Sequence, residues 1–401
     1  MSVRMKPSFE DLLSIRARIT REGVTPTRSA TSRYEFGRGA PDPASFPYDE
    51  LVEATARMMK AEGAEAMTYG EPQGYLGLRE LICYKYELFE KFTVDPANIL
   101  MTNGSGHALG LAFSAVVDLD DWVICESPTF PGAVNHLLRH GAKVLDAPVD
   151  GEGIVTSAVR ERLAALKQQG RRCKVIYTIP NFQNPSGPTM SLQRRKELVS
   201  LASEFETMIV EDDAYGELRF EGEPLPSLYE LDQSGRVVRT GTLSKILGAG
   251  TRLGWLCAPR EMIPIVQRLN FGGGVSPFMS RVATYYLRDN LAEHVAQLID
   301  VYRAKRDATL RGLWEVLDGT DVEINKPEGG FFIWIKLPSG TNPNQLAELA
   351  AEERVQYTRG RAFFPNGGGE QFIRLSFSYD TAENLYEGAK VMGRLIRESI
   401  M

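Results

Sequence analysis

The sequence predicts an α/β protein in which a mostly parallel sheet is covered by helices on both faces, with a smaller α+β domain beside it. From about residue 97, short apolar segments alternate with amphipathic segments, which is typical of a parallel sheet. After the glycine-rich segment "FGGGVSP" the pattern changes to long helices followed by strand-like segments. With 401 residues, the chain also exceeds the size at which one hydrophobic core stops growing, so two domains are expected.

The strands and helices of the large domain follow one another along the chain. The predicted strands are "NILMTN", "WVICESP", "AKVLDAPV", "KVIYTIP", "TMIVED" and "VVRTGTL". The predicted helices between them are "GHALGLAFSAVVD", "PGAVNHLLRHG", "SAVRERLAALKQQG" and "SLQRRKELVSLASEFE", the last with Ser191 as its N-cap. In such a sheet we expect the functional groups on the loops at the carboxyl ends of the strands.

The smaller domain is predicted from the second half of the chain. Two long helices, over Ser280–Leu287 and Leu291–Leu317, precede the strand-like segments "GGFFIWIKLP" and "FIRLSFSYD" and a C-terminal helix. We expect residues 46–285 to form the large domain and residues 286–401 the small one, joined by an N-terminal arm over residues 1–45. The arginines at its start predict a solvated, partly helical arm: Arg16, Arg18, Arg21, Arg28 and Arg33.

The composition argues against several classes of protein. A net charge of −6 argues against a general nucleic-acid surface, and no apolar run approaches the roughly 20 residues that span a bilayer. The start of the chain does not read as a signal peptide. The cysteines are scattered without a CxxC pair, which predicts reduced thiols and a cytoplasmic protein. His136 and His140 share helical spacing but lack a third ligand, so no metal site is predicted.

Two polar loops follow predicted strands in the first half of the large domain. Gly104, Ser105 and Gly106 open a helix directly after a strand, where free N–H groups and the helix dipole favour an anion. The alternative is a plain tight turn with a serine cap. Asn184 lies in "NFQNPSGP", which by itself is an ordinary proline-rich loop.

Asp212 and Tyr215 follow the apolar strand "TMIVED" in the segment "EDDAYGEL". A carboxylate at this strand end is suited to hold a positively charged ring nitrogen. A helix cap or a surface acidic pair are the alternatives.

The segment "GTLSKILGAGTRLGW" contains the remaining candidate functional side chains. It offers the hydroxyls of Thr242 and Ser244, the guanidinium of Arg252 as a fork for phosphate, and the amine of Lys245. Pyridoxal phosphate requires a lysine for its Schiff base, a carboxylate at its ring nitrogen, a donor to its phenolate oxygen and several donors to its phosphate. The four loops together supply one of each.

Seven motifs carry a resemblance to a known family. In order they are "YGEPQGYLGLRE", "TNGSGHALGLA", "NFQNPSG", "EDDAYGEL", "TLSKILGAGTRLGW", "GGFFIW" and "FIRLSFS". The chain resembles the class I/II aminotransferases of pyridoxal phosphate fold type I, in particular the branch that contains 2-aminoadipate and kynurenine aminotransferases. "FGRGAPDPASFP" and "GRAFFPNGGGEQFIRLSFS" are similar to that branch, and the match runs from about Phe36 to the C-terminus. The resemblance implies a seven-stranded, mostly parallel sheet.

The resemblance also implies a role for each residue at the cofactor. Lys245 would form the Schiff base and then move protons, Asp212 would pair with the ring nitrogen, and Asn184 and Tyr215 would bond the phenolate oxygen. Phe130 would stack on the ring. The phosphate would be bound by Ser105, Gly106, Thr242, Ser244 and Arg252.

The substrates and the assembly follow from the same resemblance. Arg374 would bind the α-carboxylate of the substrate, helped by Asn184 and the backbone at Gly39. Tyr69 would reach the phosphate of the neighbouring subunit, which implies a homodimer. The expected reaction moves an amino group between an α-amino acid and a 2-oxo acid by a ping-pong mechanism.

Three features depart from the family pattern. Gly106 and His107 stand where a glutamine commonly follows the Gly-Ser pair, and Arg359 stands where a proline is usual. His107 is either structural or new near the cofactor, and Arg359 is either a loop arginine or a cation near the substrate. The segment "REGVTPTRSATSRYE" matches the family poorly and leaves the side-chain specificity open.

Other functions compete with amino transfer. The same fold and cofactor support decarboxylation and replacement at a side-chain carbon. A nicotinamide-dependent oxidoreductase would use the GxGxxxG of "NGSGHALG", with Glu126 bonding a ribose. A third hypothesis is a non-catalytic module that senses pyridoxal phosphate, as in regulators that carry a DNA-binding domain, but no helix-turn-helix segment is expected before residue 36.

Overall fold

The computed structural model describes residues 9–19, 32–272 and 274–400. Its helices are α1 Ile15–Ile19, α2 Tyr48–Ala66, α3 Leu76–Glu90, α4 Ser105–Val116, α5 Pro131–Arg139, α6 Thr156–Gln168, α7 Leu192–Glu204, α8 Leu228–Leu231, α9 Ile263–Leu269, α10 Pro277–Leu317, α11 Pro343–Glu352 and α12 Ala382–Glu398. Its strands are β1 Tyr34–Glu35, β2 Ile99–Thr102, β3 Trp122–Ser127, β4 Lys143–Asp150, β5 Gly153–Ile154, β6 Cys173–Thr178, β7 Met208–Asp213, β8 Val237–Thr242, β9 Gly254–Cys257, β10 Glu323–Ile324, β11 Phe332–Lys336, β12 Val355–Gln356, β13 Thr358–Arg359 and β14 Phe372–Ser376.

The large sheet has the order β2-β9-β8-β7-β6-β3-β4-β5. The five strands from β8 to β4 are parallel to one another. By contrast, β9 runs antiparallel to both β2 and β8, and β5 runs antiparallel to β4. The predicted mostly parallel sheet is therefore confirmed, with seven main strands and the two-residue β5 at its edge. Neither β9 nor β5 was predicted as a separate strand from the sequence.

Helices cover both faces of this sheet because its strands are apolar on both sides. Along β6, Val175 and Tyr177 belong to the core layer under α4, α5 and α9, whereas Ile176 belongs to the layer under α6, α7 and α8. Along β7, Val210 and Ile209 divide between the two layers in the same way. This packing fixes the strand ends at which the polar loops begin.

A second sheet, of order β10-β11-β14-β13, is entirely antiparallel. It packs with α12 and α10 in a core cluster that continues to β2 and β9 of the large sheet. The N-terminal segment joins this region, because β1 pairs in parallel with β12. The strand-like segments and C-terminal helix predicted for the second half of the chain correspond to β11, β14 and α12.

The predicted break in the long helix is wrong, because α10 is continuous from Pro277 to Leu317. Arg288, Asp289 and Asn290 interrupt the apolar pattern, but they lie on the solvent side of an unbroken helix. No proline occurs inside it to remove a hydrogen bond. At 1.5 Å per residue, α10 is about 60 Å long and connects the regions of the two sheets.

The N-terminal arm is described only in part. Arg16 and Arg18 are exposed on α1, while Arg21 and Arg28 lie outside the described residues. Arg33 lies over the ring of Tyr34, 5.0 Å from its centroid. Among the described helices, none combines the length and the apolar character that a membrane span needs.

Candidate active site

Lys245 follows the end of β8, and its side chain turns into the protein. Its Nζ donates a hydrogen bond to the carbonyl oxygen of Gly39 at 2.7 Å and lies 5.3 Å from the ring centroid of Tyr215 and 5.6 Å from that of Phe331. Burial and the positive charge of Arg374 lower the pKa of this amine from 10.5 to about 8. Roughly a tenth of the amine is therefore neutral at pH 7, against less than about one part in a thousand for a solvated lysine.

Asp212 ends β7 and is buried. It accepts hydrogen bonds from the hydroxyls of Tyr177 at 2.8 Å and Thr240 at 3.1 Å, and burial raises its pKa to about 6. Its neighbour Asp213 is also buried but is ion-paired with Arg239. The alternative of a surface acidic pair is therefore wrong, and Asp212 is the carboxylate whose negative charge acts on Lys245.

Arg374 on β14 is a buried guanidinium. Its Nη1 donates to Oδ1 of Asn184 and its Nη2 to the carbonyl oxygen of Gly37, both at 3.0 Å, and it lies 4.1 Å from the ring centroid of Phe332. Burial lowers its pKa to about 10, which leaves it charged at neutral pH. Its Nε is buried without a hydrogen-bond partner among the described residues. An unsatisfied, charged donor of this kind suits a carboxylate.

The start of α4 forms one side of an anion site. Gly104, with a φ of 83°, turns the chain from β2 into the helix, so the first-turn N–H groups of Ser105 and Gly106 have no partner within the helix. A Cβ at Gly106 would meet no atom within 4 Å, which shows open space at this turn. Arg252 lies against Gly104, and its Nη2 donates to the carbonyl oxygen of Asn103 at 2.7 Å.

The end of β8 forms the other side of this site. Thr242 Oγ1 donates to Oγ of Ser244 at 2.8 Å and accepts from its N–H at 3.0 Å. Both residues are buried, and Gly254 on β9 joins them to α4, since a Cβ at Gly254 would lie 2.5 Å from the carbonyl carbon of Gly104. Hydroxyls, a guanidinium and a helix N-terminus at one place fit a phosphate group.

Two aromatic side chains predicted at the site lie next to these groups. Tyr215 is buried edge-to-face against Phe331 and Phe332, with ring centroids at 5.3 and 5.7 Å, and burial raises its pKa. Phe130 directly precedes α5 and is half-buried against the core layer under α4 and α5. Gly39 lies against Phe332, because a Cβ there would be 2.9 Å from the ring.

Three residues from the sequence analysis lie apart from this group. Tyr69 is fully exposed between α2 and α3. His107 Nδ1 accepts a hydrogen bond from the N–H of Asn103 at 3.1 Å, a contact that shapes the turn before α4, and burial lowers its pKa. Arg359 donates to Asn344 Oδ1 at 2.9 Å and lines a separate groove of about 510 Å³.

The register of β13 explains the position of Arg359. Thr358 pairs with Arg374 in the sheet, and its hydroxyl accepts a hydrogen bond from Nη2 of Arg374 at 3.3 Å. Successive side chains of a strand point to opposite faces, so Arg359 lies on the face away from Arg374.

The sequence analysis missed Tyr177, Thr240, Phe332 and Thr358. Thr240 is paired with Asp212 in the sheet, and Thr358 with Arg374. Neither carries a signal in the sequence, because the residue directly opposite a functional residue is set by strand register.

Comparison with known proteins decides the family. A sequence model of the family described as aminotransferase class I and II matches residues 35–391. The chain belongs to the class I and II aminotransferases. This aminotransferase is 34% identical over 370 residues to aromatic-amino-acid aminotransferase 1 of Thermococcus litoralis, covering 90% of this chain and 87% of that protein. It is also 34% identical over 367 residues to the 2-aminoadipate transaminase of Thermus thermophilus, covering 90% and 89%.

Solved structures agree with the family. Kynurenine aminotransferase of Pyrococcus horikoshii, in complex with pyridoxamine phosphate, superposes with a TM-score of 0.91 at 32% identity and covers 98% of both chains. An α-aminoadipate aminotransferase of Thermus thermophilus, complexed with a phosphopyridoxyl-leucine, gives a TM-score of 0.89 at 31% identity and covers 98% of this chain and 99% of that one. The protein is a pyridoxal phosphate-dependent aminotransferase of fold type I that acts on amino acids and keto acids.

The oxidoreductase alternative also conflicts with the structure. Glu126, its expected ribose ligand, is completely buried and accepts hydrogen bonds from Thr178, Gln183 and the N–H of Ile179. It has no exposed oxygen to offer a ribose. The family match favours amino transfer over decarboxylation and side-chain replacement as well.

Proposed function

We propose that this aminotransferase performs its reaction with Lys245 as the base, Asp212 as the charge partner of the cofactor ring and Arg374 as the anchor of the substrate. The observation that carries the proposal is the position of the Lys245 amine. It lies between the rings of Tyr215 and Phe331, and its pKa responds to the charges of both Asp212 and Arg374.

The residues present fit pyridoxal phosphate. The helix N-terminus at Ser105 and Gly106 and the hydroxyls of Thr242 and Ser244, with the Arg252 guanidinium, suit its phosphate. When bound, this cofactor supplies an electron-accepting ring that is conjugated to the amino nitrogen of the substrate. The buried carboxylate of Asp212 places a negative charge where a protonated ring nitrogen needs one.

Arg374 orients the amino acid. Its unpartnered Nε and its fixed guanidinium plane bind the α-carboxylate, while Asn184 and Phe332 hold the guanidinium in place. Asn184 and Tyr215 donate to the phenolate oxygen of the cofactor. A carboxylate held in this way sets the direction of the Cα–H bond, and such orientation contributes several kcal/mol to the barrier reduction.

Lys245 moves the proton. Its Nζ, with a pKa of about 8, would accept the proton from Cα of the amino acid and hold it for return later in the reaction. A solvated lysine, with a pKa of 10.5, would have a neutral fraction roughly 300-fold smaller at pH 7 and would be a correspondingly poorer acceptor of this proton.

We propose a homodimer as the active unit, in which Tyr69 binds the phosphate of the neighbouring subunit. Tyr69 and Phe271 are fully exposed, and Met67 and Val52 are mostly exposed. Gly70 lies next to Pro277 at the start of α10, since a Cβ there would be 3.0 Å from that proline. Exposed apolar side chains in one region support an interface.

The remaining proposals concern substrates, domains and location. The two relatives at 34% identity are named for aromatic amino acids and 2-aminoadipate, so these are the donors to test first. We propose the division into residues 1–45, 46–285 and 286–401, with the large sheet in the middle part. The four free cysteines, of which three are buried, support a cytoplasmic protein.

Substitution of Lys245 tests the proposed function. Lys245→Ala should reduce turnover by at least about 1,000-fold, because it removes both the cofactor attachment and the base. It should also abolish the visible absorbance that borohydride bleaches in the wild-type protein. Keto-acid formation and absorbance are the measurements, and Lys196→Ala, on the exposed side of α7, is the control. Normal turnover in Lys245→Ala would exclude the proposed role.

A further inference from the structure

Glu126 is a buried carboxylate beneath the active site with no assigned role in the reaction. It lies near the end of β3 and is completely buried. Its Oε1 accepts from the Thr178 hydroxyl and from the N–H of Ile179 at 3.0 Å, and its Oε2 accepts from Nε2 of Gln183 at 2.9 Å. All three neighbours donate to Glu126, so both side-chain oxygens at this position have to accept hydrogen bonds.

Gln183 uses its whole amide. Its Nε2 donates to Glu126 and to the carbonyl oxygen of Pro128 at 2.7 Å, and its Oε1 accepts from the N–H of Ser186 at 2.8 Å and its hydroxyl at 2.6 Å. A rotated amide would direct its oxygen at a carboxylate and a carbonyl. The orientation of the amide is therefore fixed by Glu126 and Pro128.

These contacts join two loops of the active site. Pro128 precedes Phe130 by two positions, and Ser186 follows Asn184 by two. Asn184 in turn accepts a hydrogen bond from Arg374. One buried amide, oriented by one buried carboxylate, thus links the loop of Phe130 to the loop of Asn184.

We propose that Glu126 is a positioning residue that acts through Gln183 to hold Phe130 and Asn184 in place at the cofactor. The proposal rests on the proposed function, since it uses the roles assigned there to Phe130 and Asn184. Exchanging a donor for an acceptor in such a buried network leaves a polar group without a hydrogen bond, which lowers the stability of the folded arrangement.

An exchange of the two side chains tests the link. Glu126→Gln directs an NH₂ group at the NH₂ group of Gln183 and breaks their hydrogen bond. Its kcat/KM should fall about 10- to 100-fold, mainly through KM, as expected for a small displacement of positioning groups. The pH midpoint of the visible cofactor absorbance should rise, because Asn184 no longer stabilises the phenolate. The double variant Glu126→Gln/Gln183→Glu restores a donor opposite an acceptor in this pair, but it directs a carboxylate oxygen at the carbonyl of Pro128. Both values should therefore stay impaired, because the link to the loop of Phe130 is still broken.

Two further variants keep the test decisive. Gln183→Met leaves Glu126 with its other two donors and should shift KM and the pH midpoint in the same direction, which covers a Glu126→Gln that does not fold. Thr207→Val is the control for a loss of stability alone. It removes a buried hydrogen bond to the carbonyl oxygen of Cys173, at the end of β7 that lies away from Asp212, and should lower stability without shifting the pH midpoint of the cofactor absorbance. Wild-type kinetics and midpoint in folded Glu126→Gln, in Gln183→Met or in the double variant would overturn the proposal. An inactive wild-type enzyme would instead refute the proposed function.

Discussion

At the scale of single residues, the environment of Lys245 determines when its amine is neutral. The amine loses part of its hydration and lies in the field of Arg374, and both effects disfavour the ammonium form. Asp212 opposes them by favouring the charged form. The balance gives a pKa of about 8, well below the 10.5 of a solvated lysine.

This balance predicts a pH dependence for cofactor attachment. The neutral amine is the nucleophile, so cofactor-free protein should combine with pyridoxal phosphate at a rate that rises with pH and levels off above about pH 8. Arg374→Gln removes a repelling charge and should move the midpoint upward. Stopped-flow absorbance from pH 6 to 10 measures both, and Arg361→Gln, an exposed arginine, is the control. A rate in the wild-type protein that still rises steeply at pH 10 would contradict the assigned environment.

The residues with reactive groups could be predicted from the sequence, whereas those that tune them could not. Lys245, Asp212 and Arg374 stand in motifs that can be read from the chain itself. Tyr177 and Thr240 contact Asp212 from the two neighbouring strands, at separations of 35 and 28 residues. Such contacts depend on strand order and register, which a single sequence does not contain.

At the scale of elements, the strands of the large sheet were predictable because they are apolar on both faces. The strand β2 (ILMT) and the start of β7 (MIV) are continuous apolar runs in the sequence, and β8 starts with two valines. The two-residue strands β1, β12 and β13 are too short to show a period. The four-residue β9 begins two residues after Arg252. It is antiparallel to β8, and no helix of the kind that separates parallel strands precedes it, so the strand–helix pattern used for the other strands does not reveal it.

Strand β9 also lies at the proposed phosphate site. Gly254 is paired with Thr102 on one side and with Thr242 on the other, so it lies between the two halves of the site. Its backbone is in close contact with the turn that starts α4, where a Cβ would lie 2.7 Å from the nitrogen of Ser105. A side chain at this position would separate the N-terminus of α4 from the hydroxyls of β8.

We therefore predict that Gly254→Ala weakens cofactor binding. The added methyl group should displace Ser105, raise the dissociation constant of pyridoxal phosphate roughly 10-fold and lower the free energy of unfolding by about 1–3 kcal/mol. Equilibrium titration of the cofactor-free protein and chemical denaturation measure the two effects. Gly250→Ala, where a Cβ would meet no atom within 4 Å, should change neither. Equal affinities in the two variants would show that the contact does not shape the site.

At the scale of the whole molecule, one chain contains the residues proposed for the cofactor ring and the substrate carboxylate, while Tyr69 lies exposed outside them. An exposed tyrosine beside other exposed apolar side chains has no structural role within one chain. The proposed homodimer accounts for both features, since one interface would cover the apolar side chains and bring Tyr69 to the neighbouring site. A dimer of this kind has two sites, each built from both subunits.

Shared sites predict that two defective subunits restore each other. When differently tagged Tyr69→Ala and Lys245→Ala chains are coexpressed, each hybrid dimer has one site with an intact Lys245 and an intact Tyr69. Random pairing should then give about one quarter of the wild-type activity, more than either parent.

Arg374→Ala paired with Lys245→Ala is the control and should give no recovery, because both residues serve the site of their own subunit. Sedimentation of the purified hybrid establishes the dimer independently of activity. If the Tyr69 hybrid were no more active than the mean of its parents, Tyr69 would not act across the interface, because a residue that serves its own subunit cannot be replaced by its partner's.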